Sequence, residues 1–127
     1  MAEDALLNED IDAAGRLVNF LDDQGLTVRG ALWLYDSDAE RWRFVVAFKE
    51  KRKDITTFYL DVAKAKSAAQ SNDLLDLSRV DIVDPDRSIF TALSGAISVS
   101  GDSRVRFSRN MINGVYLEDA MIYRTFA

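Results

Sequence analysis

The chain has 127 residues, 48% of them hydrophobic and 29% charged, with a net charge of −5. This size and composition predict a single domain, residues 1–127, that buries a core without disulfides or a metal. There is no histidine and no cysteine, which excludes Ser-His-Asp and Cys-His nucleophiles and Cys/His zinc sites. The acidic balance makes nucleic acid an unexpected partner. With no signal pattern and no apolar run of about 20 residues, we expect a cytoplasmic protein without membrane contact.

An amphipathic helix is predicted over residues 3–24, because apolar residues recur there at spacings of three and four. These residues are Leu7, Ile11, Ala14, Val18 and Leu21. Gly25 is well placed to end the helix in a left-handed conformation. The rest of the helix is strongly acidic, which predicts a solvated outer face. The functional alternative is a docking surface for a basic partner, with Asp10 and Asp22 among its contacts.

A β-hairpin is predicted over residues 28–49, with Asp36-Ser37-Asp38 at its turn. A metal site at this Asp-x-Asp pair is the less favoured alternative. The first strand has Ala31, Trp33 and Tyr35 on one face and Leu32 and Leu34 on the other. In the second strand, the residues that alternate with Arg41, Arg43, Val45 and Ala47 are Trp42, Phe44, Val46 and Phe48. The basic run that follows, Lys49-Glu50-Lys51-Arg52-Lys53, fits a solvated loop or a contact with phosphate or an acidic partner.

The middle of the chain predicts a helix over residues 54–70, a strand over 74–83 and a third helix opened by Asp84-Pro85-Asp86. Four aspartates cluster around this strand: Asp76, Asp81, Asp84 and Asp86. Such a cluster can bind Mg²⁺, but capping and turn formation account for Asp84 and Asp86. We therefore expect no metal, no cofactor and no catalytic residue.

The last segment predicts a second hairpin, because Asn113-Gly114 favours a two-residue turn with two positive φ angles. That turn places Arg109 opposite Glu118 and Ile112 opposite Val115. Strict alternation predicts one face with the residues Val105, Phe107, Arg109, Met111, Tyr116, Glu118, Ala120 and Ile122. The Arg109–Glu118 pair is then either a register lock or an arginine held at the edge of a pocket. The opposite, mixed face presents Ile112, Val115, Leu117, Met121 and Tyr123 as a candidate contact surface.

Together these elements predict an α+β fold in the order α-β-β-α-β-α-β-β, with a mostly antiparallel sheet and helices packed on one or both faces. Two stretches resemble a group of small uncharacterised bacterial proteins. They are Ala31–Tyr35 with Trp42-Arg43-Phe44, and Arg106–Asn110 with Asn113-Gly114 and Glu118–Arg124, about a third of the chain in all. This resemblance implies a bacterial cytoplasmic protein and carries no activity with it.

The function expected from these features is a non-enzymatic protein-binding, regulatory or accessory module. Its partner is another protein or a second copy of the chain. The expected contact residues are Asp10, Asp22, Arg109, Ile112, Leu117, Glu118 and Tyr123. One alternative is a Mg²⁺-dependent phosphoesterase or nuclease that uses the aspartate cluster. A second is nucleic-acid contact through a basic face formed by Lys49, Lys51, Arg52, Lys53, Arg104 and Arg106.

Overall fold

The computed structural model describes residues 6, 8–48, 55–69, 74–83, 88–96 and 104–124. Within these ranges the helices are α1 (Asn8–Asp23), α2 (Ile55–Ala69) and α3 (Ser88–Ala96). The strands are β1 (Val28–Asp36), β2 (Arg41–Phe48), β3 (Val80–Val83), β4 (Val105–Ile112) and β5 (Val115–Arg124). The predicted α+β class and order of elements are confirmed.

The strands form one five-stranded sheet in the order β3-β2-β1-β5-β4. β1 pairs antiparallel with β2 and β5, β4 pairs antiparallel with β5, and β3 runs parallel to β2. The parallel pair needs a crossover connection, and α2 lies in that connection. The turns of both hairpins, β1–β2 and β4–β5, therefore lie at the same end of the sheet, called here the hairpin end.

Helices cover both faces of the sheet. On one face, called the helix-pair face, α1 and α2 pack through Leu17, Leu21 and Phe58 on Trp33 and Phe44. On the other, called the α3 face, α3 contributes a separate cluster whose buried members are Leu32, Val45, Ala47, Ile89, Phe90, Leu93, Leu117, Ala120 and Ile122. Burial on both faces explains the continuous apolar run in β2. The predicted assignment of Trp33 to the face opposite Leu32 is confirmed.

Helix α1 ends as predicted. Gly25 has a φ of 82°, and the N–H of Leu26 donates to the carbonyl oxygen of Leu21 at 2.9 Å. This left-handed cap satisfies a helix carbonyl that would otherwise lack a partner. The predicted apolar stripe is buried from Ile11 to Leu21, and Leu17 joins it.

The strand predicted over residues 74–83 is much shorter in the structure. Leu77–Arg79 forms a 3-10 turn, and β3 begins only at Val80. The Asp76 carboxylate accepts the N–H of Ser78 at 3.0 Å and caps this turn. Short polar side chains offer the backbone such local bonds in place of strand pairing, which is why the strand starts late.

Some predictions concern residues outside the described ranges. They are the basic run at 49–53, the first and last residues of the helix predicted over 54–70, the Asp84-Pro85-Asp86 helix opening and the first residues of the N-terminal helix.

The final hairpin has the predicted turn and register, with Asn113 and Gly114 at φ 47° and 86° and Ile112 opposite Val115. Its predicted apolar face is wrong. Val105, Phe107, Ile112, Val115, Leu117, Ala120 and Ile122 all pack on the α3 face, so alternation breaks once in each strand. In β4 the break coincides with Arg109, whose φ of 53° reverses the side-chain alternation.

The outer edge of β3 is closed by a side chain of α2. The Tyr59 hydroxyl donates to the carbonyl oxygen of Val80 at 3.0 Å and accepts the N–H of Ile82 at 2.9 Å. These two backbone groups point to the same side of the strand. The hydroxyl thus occupies positions that an added strand would need.

Candidate functional site at the hairpin end

Two of the predicted contact residues are core residues. Leu117 is 1% exposed and Tyr123 is 6% exposed, so neither can bind a partner in the folded protein. The Tyr123 hydroxyl donates to the carbonyl oxygen of Ile11, and burial raises the pKa of Tyr123 to about 12. Ile112 is half-buried and packs on the α3 face cluster. The mixed face that strict alternation predicts is therefore not a surface.

The two predicted acidic contacts on α1 make intramolecular ion pairs. Asp10 accepts from Arg79 at 2.7 Å, and the Arg79 guanidinium lies 4.9 Å from the centre of the Trp33 ring. Asp22 accepts from Arg124 at 2.8 Å and from the N–H of Val28 at 3.0 Å. These contacts tie α1 to the sheet, so both carboxylates are engaged within the fold.

Arg109 and Glu118 are both exposed, so the pair is not a buried register lock. Among the described residues, no ion pair joins them, and the Glu118 carboxylate makes no hydrogen bond. Arg109 adopts a left-handed conformation, which costs an L residue about 1–2 kcal/mol. Backbone strain of this kind persists where the surrounding structure imposes it and is concentrated at functional sites.

A different pair crosses the last hairpin. Arg106 donates through Nε and Nη2 to the two carboxylate oxygens of Asp119, each at 2.8 Å, and Ser108 Oγ donates to the same carboxylate at 2.9 Å. The Arg106 guanidinium also lies 5.4 Å from the Trp42 ring centre. These bonds hold the pKa of Asp119 below its usual range, chiefly through Arg106. The sequence contained the signal, because the turn register places Ser108 opposite Asp119 and Arg106 diagonally across.

A second bidentate pair lies on the α3 face. Arg43 of β2 donates through Nε and Nη2 to both carboxylate oxygens of Asp81 in β3. The hydrogen bond to Asp81 raises the pKa of Arg43 further above its ordinary value. This pair joins two neighbouring parallel strands, and it leaves Asp81 engaged with a cation of the same chain.

Two clefts open where β1 and β5 separate. Their pairing ends at Leu34 opposite Ala120, and beyond that point the two strands diverge toward the hairpin end. The sheet-end cleft, on the α3 face, has a volume of about 420 Å³. The aromatic cleft, lined by Tyr35, Trp42 and Ser108, has a volume of about 480 Å³. Tyr35 and Glu118 line both clefts.

An exposed apolar pair stands beside these clefts. Met111 is 65% exposed and Tyr116 is 55% exposed, and they face each other directly across β4 and β5. Tyr116 also lines the sheet-end cleft. The remaining large exposed hydrophobic residue of the described part, Leu60 on α2, lies on a different element.

Among the described residues, the structure brings together no site for a Mg²⁺-dependent phosphoesterase or nuclease and no basic face for nucleic acid. Asp76 caps a turn and Asp81 binds Arg43, while Asp84 and Asp86 lie outside the described ranges. No group of three acidic side chains that could hold a metal occurs in the part of the chain that the structure describes. Arg104 is paired with Asp12 at 3.4 Å.

Comparison with family models, with curated proteins and with solved structures finds no match to this chain. Among the helices within the described ranges, none has the length and apolar character needed to cross a bilayer.

Proposed function

We propose that the protein is a non-enzymatic accessory or regulatory module of the bacterial cytoplasm, and that it binds another protein at the hairpin end of its sheet. The resemblance of its two hairpins to small bacterial proteins supports the setting. The observation that carries the proposal is the exposed Met111–Tyr116 pair, of which Tyr116 also lines a cleft of about 420 Å³.

The side chains of this pair suit a protein contact. Tyrosine is enriched at the energetic centres of protein interfaces, and methionine adapts its flexible side chain to irregular partner surfaces. Exposed apolar side chains that sit together and are rimmed by polar residues are typical of interaction sites. The strained, exposed Arg109 lines the aromatic cleft, which adds a second reason to place binding at the hairpin end.

The acidic character of the chain favours a basic partner. The net charge of −5 attracts a positively charged protein over a range set by the Debye length, about 8 Å at physiological salt. Electrostatic attraction of this kind mainly accelerates association and selects the partner's charge.

Site-specific photo-cross-linking in the host cell tests the proposal. One variant carries p-benzoylphenylalanine in place of Met111, and a matched control carries it in place of Leu60, which is similarly exposed. We expect a discrete cross-linked protein from position 111 and none from position 60, with loss of that product when Tyr116→Ser is added. No product from position 111, or the same products from both positions, contradicts the proposal. A product at twice the chain mass assigns the surface to a homodimer instead.

A further inference from the structure

We propose that the sheet-end cleft is a pocket for a long basic side chain, lysine or arginine, of the partner protein. This inference rests on the proposed function and specifies which chemical group the hairpin end recognises. It is carried by the lining of the cleft, which combines an aliphatic wall with an excess of carboxylates.

The wall of the cleft matches the stem of a basic side chain. Five aliphatic residues contribute to it: Leu34, Val45, Val83, Ile89 and Val115. Lysine and arginine bury their methylene stems on apolar surfaces while the charged head stays near polar groups. The cleft is larger than one such side chain, which leaves room for a neighbouring apolar residue of the partner. Its volume of about 420 Å³ lies within the range of about 300–1,000 Å³ that is usual for ligand sites.

The charges around the cleft favour a cation. Asp36, Asp81 and Glu118 line it together with Arg43. Arg43 is engaged by both oxygens of Asp81, so it presents little uncompensated positive charge to a ligand. Asp36 already accepts the N–H groups of Asp38 and Ala39 at 3.0 and 3.2 Å.

Glu118 is the group expected to receive the cation. Within the described residues its carboxylate has no partner, it is exposed, and it stands at the mouth shared by both clefts. Tyr35 and Tyr116 also line this cleft, beside Glu118. An anionic ligand would meet two carboxylates here, Asp36 and Glu118, that no ion pair compensates among the described residues.

Backbone ¹H–¹⁵N NMR titration of the full chain with small probes tests this pocket without knowledge of the partner. The probe is Nα-acetyl-lysine methylamide. Two control compounds are titrated in the same way. Nα-acetyl-norleucine methylamide keeps an alkyl stem without the charge, and Nα-acetyl-glutamate methylamide reverses the charge. We expect saturable shifts of the amides of Leu34, Val45, Val115 and Glu118 with the lysine probe, at a Kd on the order of 1 mM. Equal binding of the norleucine probe, or tighter binding of the glutamate probe, overturns the proposal.

A matched pair of variants assigns the effect to one carboxylate. Glu118→Gln is expected to raise the Kd of the lysine probe about threefold, as for a single solvated ion pair. Glu9→Gln, the same change at an exposed site on α1, is expected to leave it unchanged. Equal Kd values for the Glu118→Gln variant and the unmodified chain overturn the role of Glu118. A cross-linked partner at position 111 without any response to the lysine probe overturns the pocket alone, whereas a lysine response without a cross-linked partner overturns the proposed function alone.

Discussion

Removal of one hydroxyl group from α2 tests how the sheet edge is closed. The Tyr59 hydroxyl makes two hydrogen bonds to the β3 backbone, to Val80 and Ile82. A typical hydrogen bond contributes about 0.5–1.5 kcal/mol net, so Tyr59→Phe is expected to lower the free energy of unfolding by about 1–3 kcal/mol. Urea denaturation measures this loss as a lower midpoint with an unchanged m-value.

Tyr116→Phe is the matched control for this experiment. Tyr116 is 55% exposed, and in the described part of the chain its hydroxyl makes no bond within the fold. The same chemical change there is expected to alter stability by less than about 0.5 kcal/mol. Hydrogen exchange should also show reduced protection of the Ile82 amide in Tyr59→Phe alone. If the two variants are equally stable and Ile82 stays protected, the hydroxyl does not close the edge of β3.

Four further variants test the last hairpin by the same urea method. Leu117→Ala is expected to cost about 2–5 kcal/mol because it removes core volume, whereas Met111→Ala should cost less than about 0.5 kcal/mol; equal costs would contradict the burial assignments. Arg109→Gly is expected to raise the free energy of unfolding by about 1 kcal/mol because glycine relieves the positive φ, and a loss of stability would show that the strand alternates regularly there. Asp119→Asn is expected to cost about 1 kcal/mol at pH 7. Because the folded-state pKa of Asp119 is lowered, the extra free energy of unfolding of the unmodified chain over Asp119→Asn is complete above about pH 4. It disappears as the pH falls through the lowered pKa. If the two chains still differ in stability at lower pH, the charge of Asp119 is not the cause.

Local signals in the sequence determined the final hairpin well. Asn113 and Gly114 require positive φ angles that few other residue pairs tolerate, and once the turn is placed, the cross-strand register follows. The predicted Arg109–Glu118 pair is missing from the observed pairing. The structure confirms pairs as distant from the turn as Val105 opposite Ile122. The cross-strand neighbours of Asp119 were predictable from the same register.

Which side chains of that hairpin turn toward the α3 face was not predictable. The register fixes which residues lie opposite each other, and it does not fix whether side chains alternate regularly along each strand. Both strands break alternation near the same point, which leaves the register intact while it exchanges the two faces. Arginine gives no local preference for the left-handed conformation that Arg109 adopts, so nothing in the sequence marks the break. Leu117 was therefore predicted as a surface residue and is a core residue. Tyr123 lies on the helix-pair face and is buried because α1 covers that face.

The predicted solvated face of the acidic helix is confirmed at Glu9, Asp12 and Asp23, and two of its other carboxylates were misread for a different reason. Asp10 and Asp22 bind arginines 69 and 102 residues away, and separations of this size are resolved only by the tertiary fold. Local charge counting therefore predicted a solvated or docking surface. The two clefts also depend on the tertiary fold. They form where β1 and β5 separate, so no single segment of the sequence predicts them.

The affinity of the cross-linked partner for two matched serine variants tests the central claim most directly, namely that the hairpin end binds another protein. Met111→Ser and Leu60→Ser each remove an exposed large hydrophobic side chain, from sites 65% and 56% exposed. If the hairpin end is the binding site, Met111→Ser raises the Kd by about fivefold or more, as expected for an energetically important interface residue, and Leu60→Ser leaves it unchanged. An unchanged Kd for Met111→Ser, or an equal rise for both variants, contradicts the claim.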